Sequence, residues 1–113
     1  MEKSYDVIIV GAGPAGMFAA LEITKKNPNL KVVVVDMGSR IENRSSKEVM
    51  SGFGGAGTYS DGKLHFTPKL SHERTFHLIK PEDYQVILNE VDETFMSFGV
   101  DSEEYPKNRY DVE

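Results

Sequence analysis

The sequence contains no cysteine among its 113 residues. This absence excludes disulfide bonds, thiolate-ligated metal ions and a redox-active CxxC pair. It is compatible with a reducing compartment. We therefore expect a cytoplasmic protein.

The sequence also lacks an apolar run long enough to cross a membrane. The most apolar stretch, residues 7–23, is interrupted by three glycines and a proline. The charges that precede it are of both signs, so it does not fit a signal peptide. We interpret it as a strand followed by a helix, and we expect no membrane partner.

The three histidines, His65, His72 and His77, lack the close helical spacing of a metal-binding pair with an acidic partner. We therefore predict no metal site. His65 is the one nearest to a glycine-rich segment described below, and it stays open as an acid or base.

The formal net charge is −5, and it is concentrated in the last part of the chain. Residues 82–113 contain 10 Asp and Glu against 2 Lys and Arg. Such an acidic segment argues against nucleic acid as a partner. The length allows one domain at most.

The most informative stretch, residues 5–16, reads YDVIIVGAGPAG. Its β-branched run predicts a strand buried on both faces of a parallel sheet. The glycines that follow have the spacing of a dinucleotide-binding turn. Gly11 allows the tight turn, Gly13 lets a pyrophosphate approach the backbone, and Gly16 lets the new helix pack against the strand.

A helix is predicted from Pro14 to Lys26, because proline suits the first turn and Asn27-Pro28 ends the pattern. Its N-terminal residues, including Pro14 and Ala15, are assigned to the phosphate site, since a helix N-terminus favours anions.

A second buried strand follows in residues 31–36, which read KVVVVD, and it completes a βαβ unit. Asp36 stands twenty positions after Gly16, where a carboxylate can accept hydrogen bonds from an adenosine ribose and would repel a 2′-phosphate. The alternative is that Asp36 caps the next turn through Gly38. Met37, beside Asp36, is assigned to the same cofactor site.

Arg44 is a candidate cofactor contact, because arginine binds phosphate through two parallel N–H groups. The alternative is a solvated helix face, since residues 39–48 also have helical character with mixed charge.

A second glycine-rich segment, residues 51–64, reads SGFGGAGTYSDGKL, and we call it the glycine-rich loop. Its backbone is free to wrap closely round a ligand and to point N–H groups at an anion, with Thr58 as a hydroxyl donor. A merely flexible loop is the alternative. The Asp61-Gly62 pair also predicts a hairpin with a return strand in residues 63–67.

Residues 81–98 have the clearest amphipathic helical pattern, which Pro81 begins and Gly99 ends. We predict a partial dinucleotide-binding domain in residues 1–99 and an acidic tail or linker in residues 100–113.

These motifs resemble the N-terminal FAD-binding unit of flavoprotein oxidoreductases with a glutathione-reductase-like fold. The glycine-rich loop is similar to that of a largely uncharacterised family of FAD-dependent dehydrogenases, and the resemblance covers about residues 5–64. It implies an α/β, Rossmann-like βαβ unit with a parallel sheet, followed by the glycine-rich loop and an amphipathic helix, and an FAD cofactor. It further implies that Gly54, Gly55 and Gly57 lie along the pyrophosphate or flavin.

Members of that family are several hundred residues long, so the resemblance also implies an incomplete domain. We expect such a unit to need a homo-oligomeric partner, a C-terminal remainder or bound cofactor for stability. No residue is assigned as catalytic, and the substrate stays unknown. Two alternatives remain: an NAD-binding or thiazole-forming Rossmann enzyme, and a non-enzymatic truncated fragment.

Overall fold

A computed structural model describes residues 2–65 and 79–100 of the chain. The chain divides into two compact units, Met1–Lys63 and Leu64–Glu113. The first contains a βαβ unit and two short 3₁₀ helices, and the second contains one α-helix. The fold is α/β, as the sequence predicts.

The βαβ unit consists of strand β1 (Val7–Val10), helix α1 (Pro14–Lys26) and strand β2 (Val32–Val35). The two strands pair in parallel, with Val7 opposite Val32. The predicted strands, and the predicted helix from Pro14 to Lys26, are confirmed. A parallel pair joined by a crossover helix is the elementary Rossmann-like unit.

Helix α1 begins and ends where its terminal residues suit the backbone. Pro14 occupies the first turn, and Lys25 and Lys26 lie in the last turn, where cations interact favourably with the helix dipole. The Asn27 amide closes the helix by donating to the Ile23 carbonyl. These local signals explain why both ends of the helix are predicted correctly from the sequence.

Helix α1 packs against β1 and β2, and within the first unit no other described helix or strand covers the opposite face of the sheet. On the covered face, Val7 and Ile9 are half-buried, whereas Ile8 and Val10 expose 64% and 84% of their surface. The prediction of a strand buried on both faces is therefore wrong for the described residues. Uninterrupted β-branched runs report strand propensity, but burial of the second face needs another element to cover it.

Helix α1 approaches the end of β1 closely at Gly16. A Cβ atom at this position would overlap the carbonyl oxygen of Gly11 and would lie 3.3 Å from Cγ2 of Ile9. The predicted role of Gly16 in helix–strand packing is thereby confirmed.

Two 3₁₀ helices, Ile41–Asn43 and Gly55–Tyr59, follow the βαβ unit. In residues 39–48 the first of them, with three residues, is the only helix, so the helical character of this segment does not extend further. Residues 63–65 form no strand, and the rest of the predicted hairpin, residues 66 and 67, lies outside the described residues.

Helix α2 (Pro81–Ser97) forms the described part of the second unit and confirms the predicted amphipathic helix. It ends in a Schellman motif: the Gly99 amide donates to Met96 and the Val100 amide to Phe95, with Gly99 at a φ of +89°. The predicted tail, apart from Val100, lies outside the described residues, so the predicted domain boundary stays a prediction. Neither α1 nor α2 is long and apolar enough to cross a membrane.

We predict that Gly16→Ala lowers the free energy of unfolding by about 1–3 kcal/mol, because the added methyl group forces α1 away from the turn after β1. Urea denaturation followed by circular dichroism measures this change. Gly57→Ala is the matched control, since a Cβ there meets no atom within 4 Å. Equal stability of the two variants would contradict the packing role of Gly16.

Candidate functional site

The glycine turn, residues 11–16, connects β1 to α1 and lies at the carboxyl end of the sheet. Gly11 has a φ of +101°, a conformation that favours glycine, and its amide donates to the Val35 carbonyl at 2.7 Å. This bond ties the turn to the end of β2. The predicted tight turn at Gly11 is confirmed.

Gly13 is the N-cap of α1 and has an ordinary extended backbone, with a φ of −76°. A Cβ atom here would meet no protein atom within 4 Å. No side chain caps the helix, and no acidic residue lies in its first turn. The amides of Ala15 and Gly16 belong to the first turn, which leaves N–H groups without intrahelical partners. The space in front of this turn suits an anion.

Asp36 follows β2 and accepts hydrogen bonds from three backbone amides. Its Oδ2 accepts from Ala12 at 2.8 Å, and its Oδ1 accepts from Gly38 at 2.8 Å and from Gly52 at 2.6 Å. The bonds from Ala12 and Gly38 are the main reasons why the pKa of Asp36 lies below its ordinary value of 3.8. The carboxylate is therefore ionised at neutral pH, and it joins the glycine turn to the glycine-rich loop.

The bond from Gly38 to Asp36 is the turn cap that the sequence offered as the alternative to ribose binding. The two roles are compatible, because each carboxylate oxygen has two acceptor sites and Oδ2 uses one of them in the protein.

The glycine-rich loop packs directly against the glycine turn. The Gly54 amide donates to the Ala12 carbonyl at 2.8 Å. A Cβ atom on Gly55 would lie 3.2 Å from both Gly13 Cα and Pro14 Cδ. The structure thus brings together the two glycine motifs that the sequence placed forty residues apart, and it gives them one continuous backbone surface.

The amides of residues 52–55 point into the protein. Gly52 donates to Asp36, Gly54 to Ala12 and Gly55 to Gly52, while Phe53 donates to the Ser39 carbonyl. The prediction that the loop amides point at a ligand anion is therefore wrong for these four residues, because each amide has a partner within the protein. Their hydrogen bonds fix the loop, a purpose that sequence spacing does not reveal.

Arg44 donates hydrogen bonds to the glycine-rich loop through Nη1 and to the segment just before the loop through Nη2. Nη1 donates to the carbonyls of Phe53 and Gly55, each at 2.8 Å, and to Oγ1 of Thr58 at 2.6 Å. Nη2 donates to the carbonyls of residues 48 and 49. The guanidinium also lies 4.9 Å from the centre of the Tyr59 ring. The solvated helix face, the alternative for Arg44, does not describe this environment.

Glu48 is a residue that sequence reasoning missed. Its carboxylate accepts hydrogen bonds from the amides of Ser39 and Ser45 at 2.9 and 3.4 Å. The hydrogen bonds from Ser39 are the largest cause of a lowered pKa of Glu48. No motif marks this glutamate, because its partners are set by the turn that precedes it.

A cleft of about 400 Å³ lies at the carboxyl ends of β1 and β2, which is where open α/β sheets bind ligands. Its lining residues are Val10, Gly11, Val35, Asp36, Met37, Met50 and Ser51. Met37 and Met50 expose 94% and 81% of their surface beside the ionised Asp36. The sequence predicted Met37 but not Met50, which directly precedes the glycine-rich loop and lines the same cleft.

The remaining predicted residues lie in or next to these two motifs. Pro14 and Ala15 are exposed on the first turn of α1, and Gly57 and Thr58 are exposed in the second 3₁₀ helix. His65 is exposed, and the other two histidines lie outside the described residues. In the part of the chain that the structure describes, no cluster of His, Asp or Glu is arranged to hold a metal ion.

Comparison with known proteins gives one family. The sequence profile of the Thi4 family matches residues 2–56. The match spans the glycine turn, Asp36, Arg44 and the start of the glycine-rich loop through Gly55, and it stops before Gly57. Searches of curated proteins and of solved structures gave no match. The fold and the family profile both support a Rossmann-like βαβ unit in the first part of the chain.

The hydrogen bonds at Asp36 predict a pH dependence. Because the folded-state pKa is lowered, the stability that the carboxylate contributes is present above its ordinary value and lost as the pH falls through the lowered pKa. We therefore predict that the Gly38 and Gly52 amides keep their bonds from neutral pH to about pH 4 and lose them below it. The amide proton shifts of both glycines, measured by NMR during acid titration, test this.

Two variants serve as controls for the titration. Asp36→Asn removes the change in the amide proton shifts on acid titration, because asparagine does not titrate. Its side-chain amide also presents N–H groups, which cannot accept from backbone donors, on one side. Glu48→Gln leaves the change at the Gly52 amide in place, because Gly52 donates to Asp36 and not to Glu48. A Gly52 amide shift that follows Glu48 rather than Asp36 would contradict the assignment.

Proposed function

We propose that the first unit is the FAD-binding part of a flavin-dependent oxidoreductase of the dehydrogenase type. The bound flavin would supply hydride transfer, and the protein would bind and orient it. No described side chain is assigned as an acid or base in the reaction.

This proposal rests on the backbone angles and the surroundings of the ten glycines, all of which lie within the described residues. Six have a positive φ, and Gly16 and Gly38 would overlap backbone atoms if they carried a Cβ. Gly13 and Gly57 have neither constraint. A glycine that the protein's own packing does not require is explained by close approach of a ligand to its backbone.

Gly13 lies where a pyrophosphate would bind. The free N–H groups of the first turn of α1, including those of Ala15 and Gly16, face the same space and have no acidic competitor in that turn. Pro14 loses nothing there, because its missing N–H has no helical partner in any case. Together these residues fit a doubly charged phosphate linkage.

The cleft beside Asp36 fits the adenosine end of the cofactor. The free acceptor site on Oδ2 would take a ribose hydroxyl, and the exposed side chains of Met37 and Met50 would cover the adenine with soft, apolar surface. Since the carboxylate is ionised, a 2′-phosphate would be repelled, which disfavours a cofactor of the NADP type.

The glycine-rich loop favours FAD over NAD. Gly54 and Gly55 would form a second wall beside the glycine turn, and Gly57 and Thr58 would continue it along the pyrophosphate or flavin. This assignment rests on the contact between the loop and Gly13 and on the resemblance of the loop to that of FAD-dependent dehydrogenases.

A thiazole-synthase-like enzyme is the second candidate, and the match to the Thi4 family favours it. It uses the same glycine turn and the same aspartate, so the geometry of the first unit is common to both candidates. An NAD-binding Rossmann enzyme is the related alternative, and direct competition between FAD and NAD for the purified protein separates it from the FAD enzyme. Tighter binding of NAD would overturn the FAD assignment.

We predict that Gly13→Ala weakens FAD binding about tenfold or more without lowering stability, because the methyl group enters space that the protein leaves open but a phosphate would occupy. Flavin fluorescence titration gives the affinity, and urea denaturation gives the stability.

Ala19→Gly in the middle of α1 is the matched control: it costs about 1 kcal/mol of helix stability and leaves the glycine turn unchanged. If FAD neither binds to nor raises the melting temperature of the folded wild-type protein, the proposed function is wrong. The alternative of a non-enzymatic truncated fragment is then favoured. If Gly13→Ala binds FAD as the wild type does, the pyrophosphate lies elsewhere.

A further inference from the structure

The guanidinium group of Arg44 has no terminal N–H left for a ligand. Nη1 faces three oxygen atoms and Nη2 faces two, all within 3.2 Å, although each nitrogen carries two hydrogens. The remaining donor, Nε, is buried and has no hydrogen-bond partner. A phosphate contact from Arg44 would require breaking the bonds that hold the loop.

We propose that Arg44 is a positioning residue, which sets the conformation of the glycine-rich loop and contributes to cofactor binding only through that loop. This inference rests on the proposed function for its consequence in binding, but the effect on the loop itself does not depend on a cofactor. It assigns Arg44 a different role from that of a phosphate ligand.

The loop needs such an anchor because its own side chains are few. Residues 52–57 contain four glycines and an alanine, so little apolar surface is available to fix the backbone. Arg44 instead donates to carbonyl oxygens of the loop, and Asp36 accepts a hydrogen bond from the Gly52 amide. One charged side chain supplies the donors and the other the acceptors.

The planar shape of the guanidinium is required for this contact. Nη1 reaches the 53–58 segment and Nη2 reaches the carbonyls of residues 48 and 49, so one rigid group bridges two turns. A lysine keeps the charge but presents a single ammonium on a flexible chain and cannot bridge both turns in fixed geometry. Replacement by lysine therefore separates geometry from charge.

The test compares Arg44→Lys with Arg40→Lys, the same substitution four residues earlier on an exposed side chain. Amide hydrogen exchange of the cofactor-free proteins reports the order of residues 52–59, and fluorescence titration with FAD reports binding. We expect Arg44→Lys to speed exchange in the loop and to weaken FAD binding about tenfold or more. We expect Arg40→Lys to match the wild type in both.

The outcomes separate the two roles. FAD binding by Arg44→Lys within about threefold of the wild type, with unchanged loop exchange, would overturn the proposal. Weakened binding with unchanged exchange would also overturn it, since Arg44 would then be a direct ligand. If the wild type does not bind FAD, the proposed function fails, and loop exchange still decides the role of Arg44.

Thr58→Val provides a milder variant if Arg44→Lys does not fold. It removes one acceptor of the guanidinium and one bond to the Gly55 carbonyl. Faster exchange confined to residues 55–59 supports the proposal, and no change in exchange contradicts it.

Discussion

The carboxylate of Asp36 is the contact on which the arrangement of the first unit depends. Its two oxygen atoms accept hydrogen bonds from backbone amides in three separate turns, those of Ala12, Gly38 and Gly52. The apolar core offers little alternative, since Ala12 is the one hydrophobic residue among the described ones that is fully buried. The best-buried positions therefore lie at the glycine motifs, and polar contacts rather than strand burial hold these motifs together.

Arg44 completes this arrangement by donating to carbonyl oxygens of the glycine-rich loop. A segment with so few side chains exposes its amides and carbonyls, and both kinds of group need partners once the loop packs against the glycine turn. Asp36 offers acceptors only and Arg44 offers donors only, so together they satisfy both kinds. The same constraint explains why Gly52 lies between them: a Cβ there would approach Cδ and Nε of Arg44 at 3.0 Å.

Local sequence rules predicted the elements of the first unit well but predicted its contacts incompletely. The Gly11 turn, the span of α1 and the step from Gly16 to Asp36 follow from backbone preferences over short distances, which a single sequence contains. The sequence did not predict that the loop amides bond within the protein, that Arg44 bonds to two turns, or that Met50 lines the cleft. These features depend on contacts between separate segments of the chain. The open face of the sheet was missed for the same reason, because β-branched runs do not show what covers them.

The glycines illustrate why structure adds to a motif. From the sequence, the spacing of the first motif suggests a separate role for each glycine, but the glycines of the loop cannot be told apart. In the structure, Gly16 and Gly55 are explained by close contact with other parts of the chain, whereas Gly13 and Gly57 are not. Both open positions lie beside backbone that Asp36 and Arg44 hold in place. A ligand at the glycine turn would therefore meet a surface whose shape is set before binding, and such preorganisation reduces the entropic cost of association.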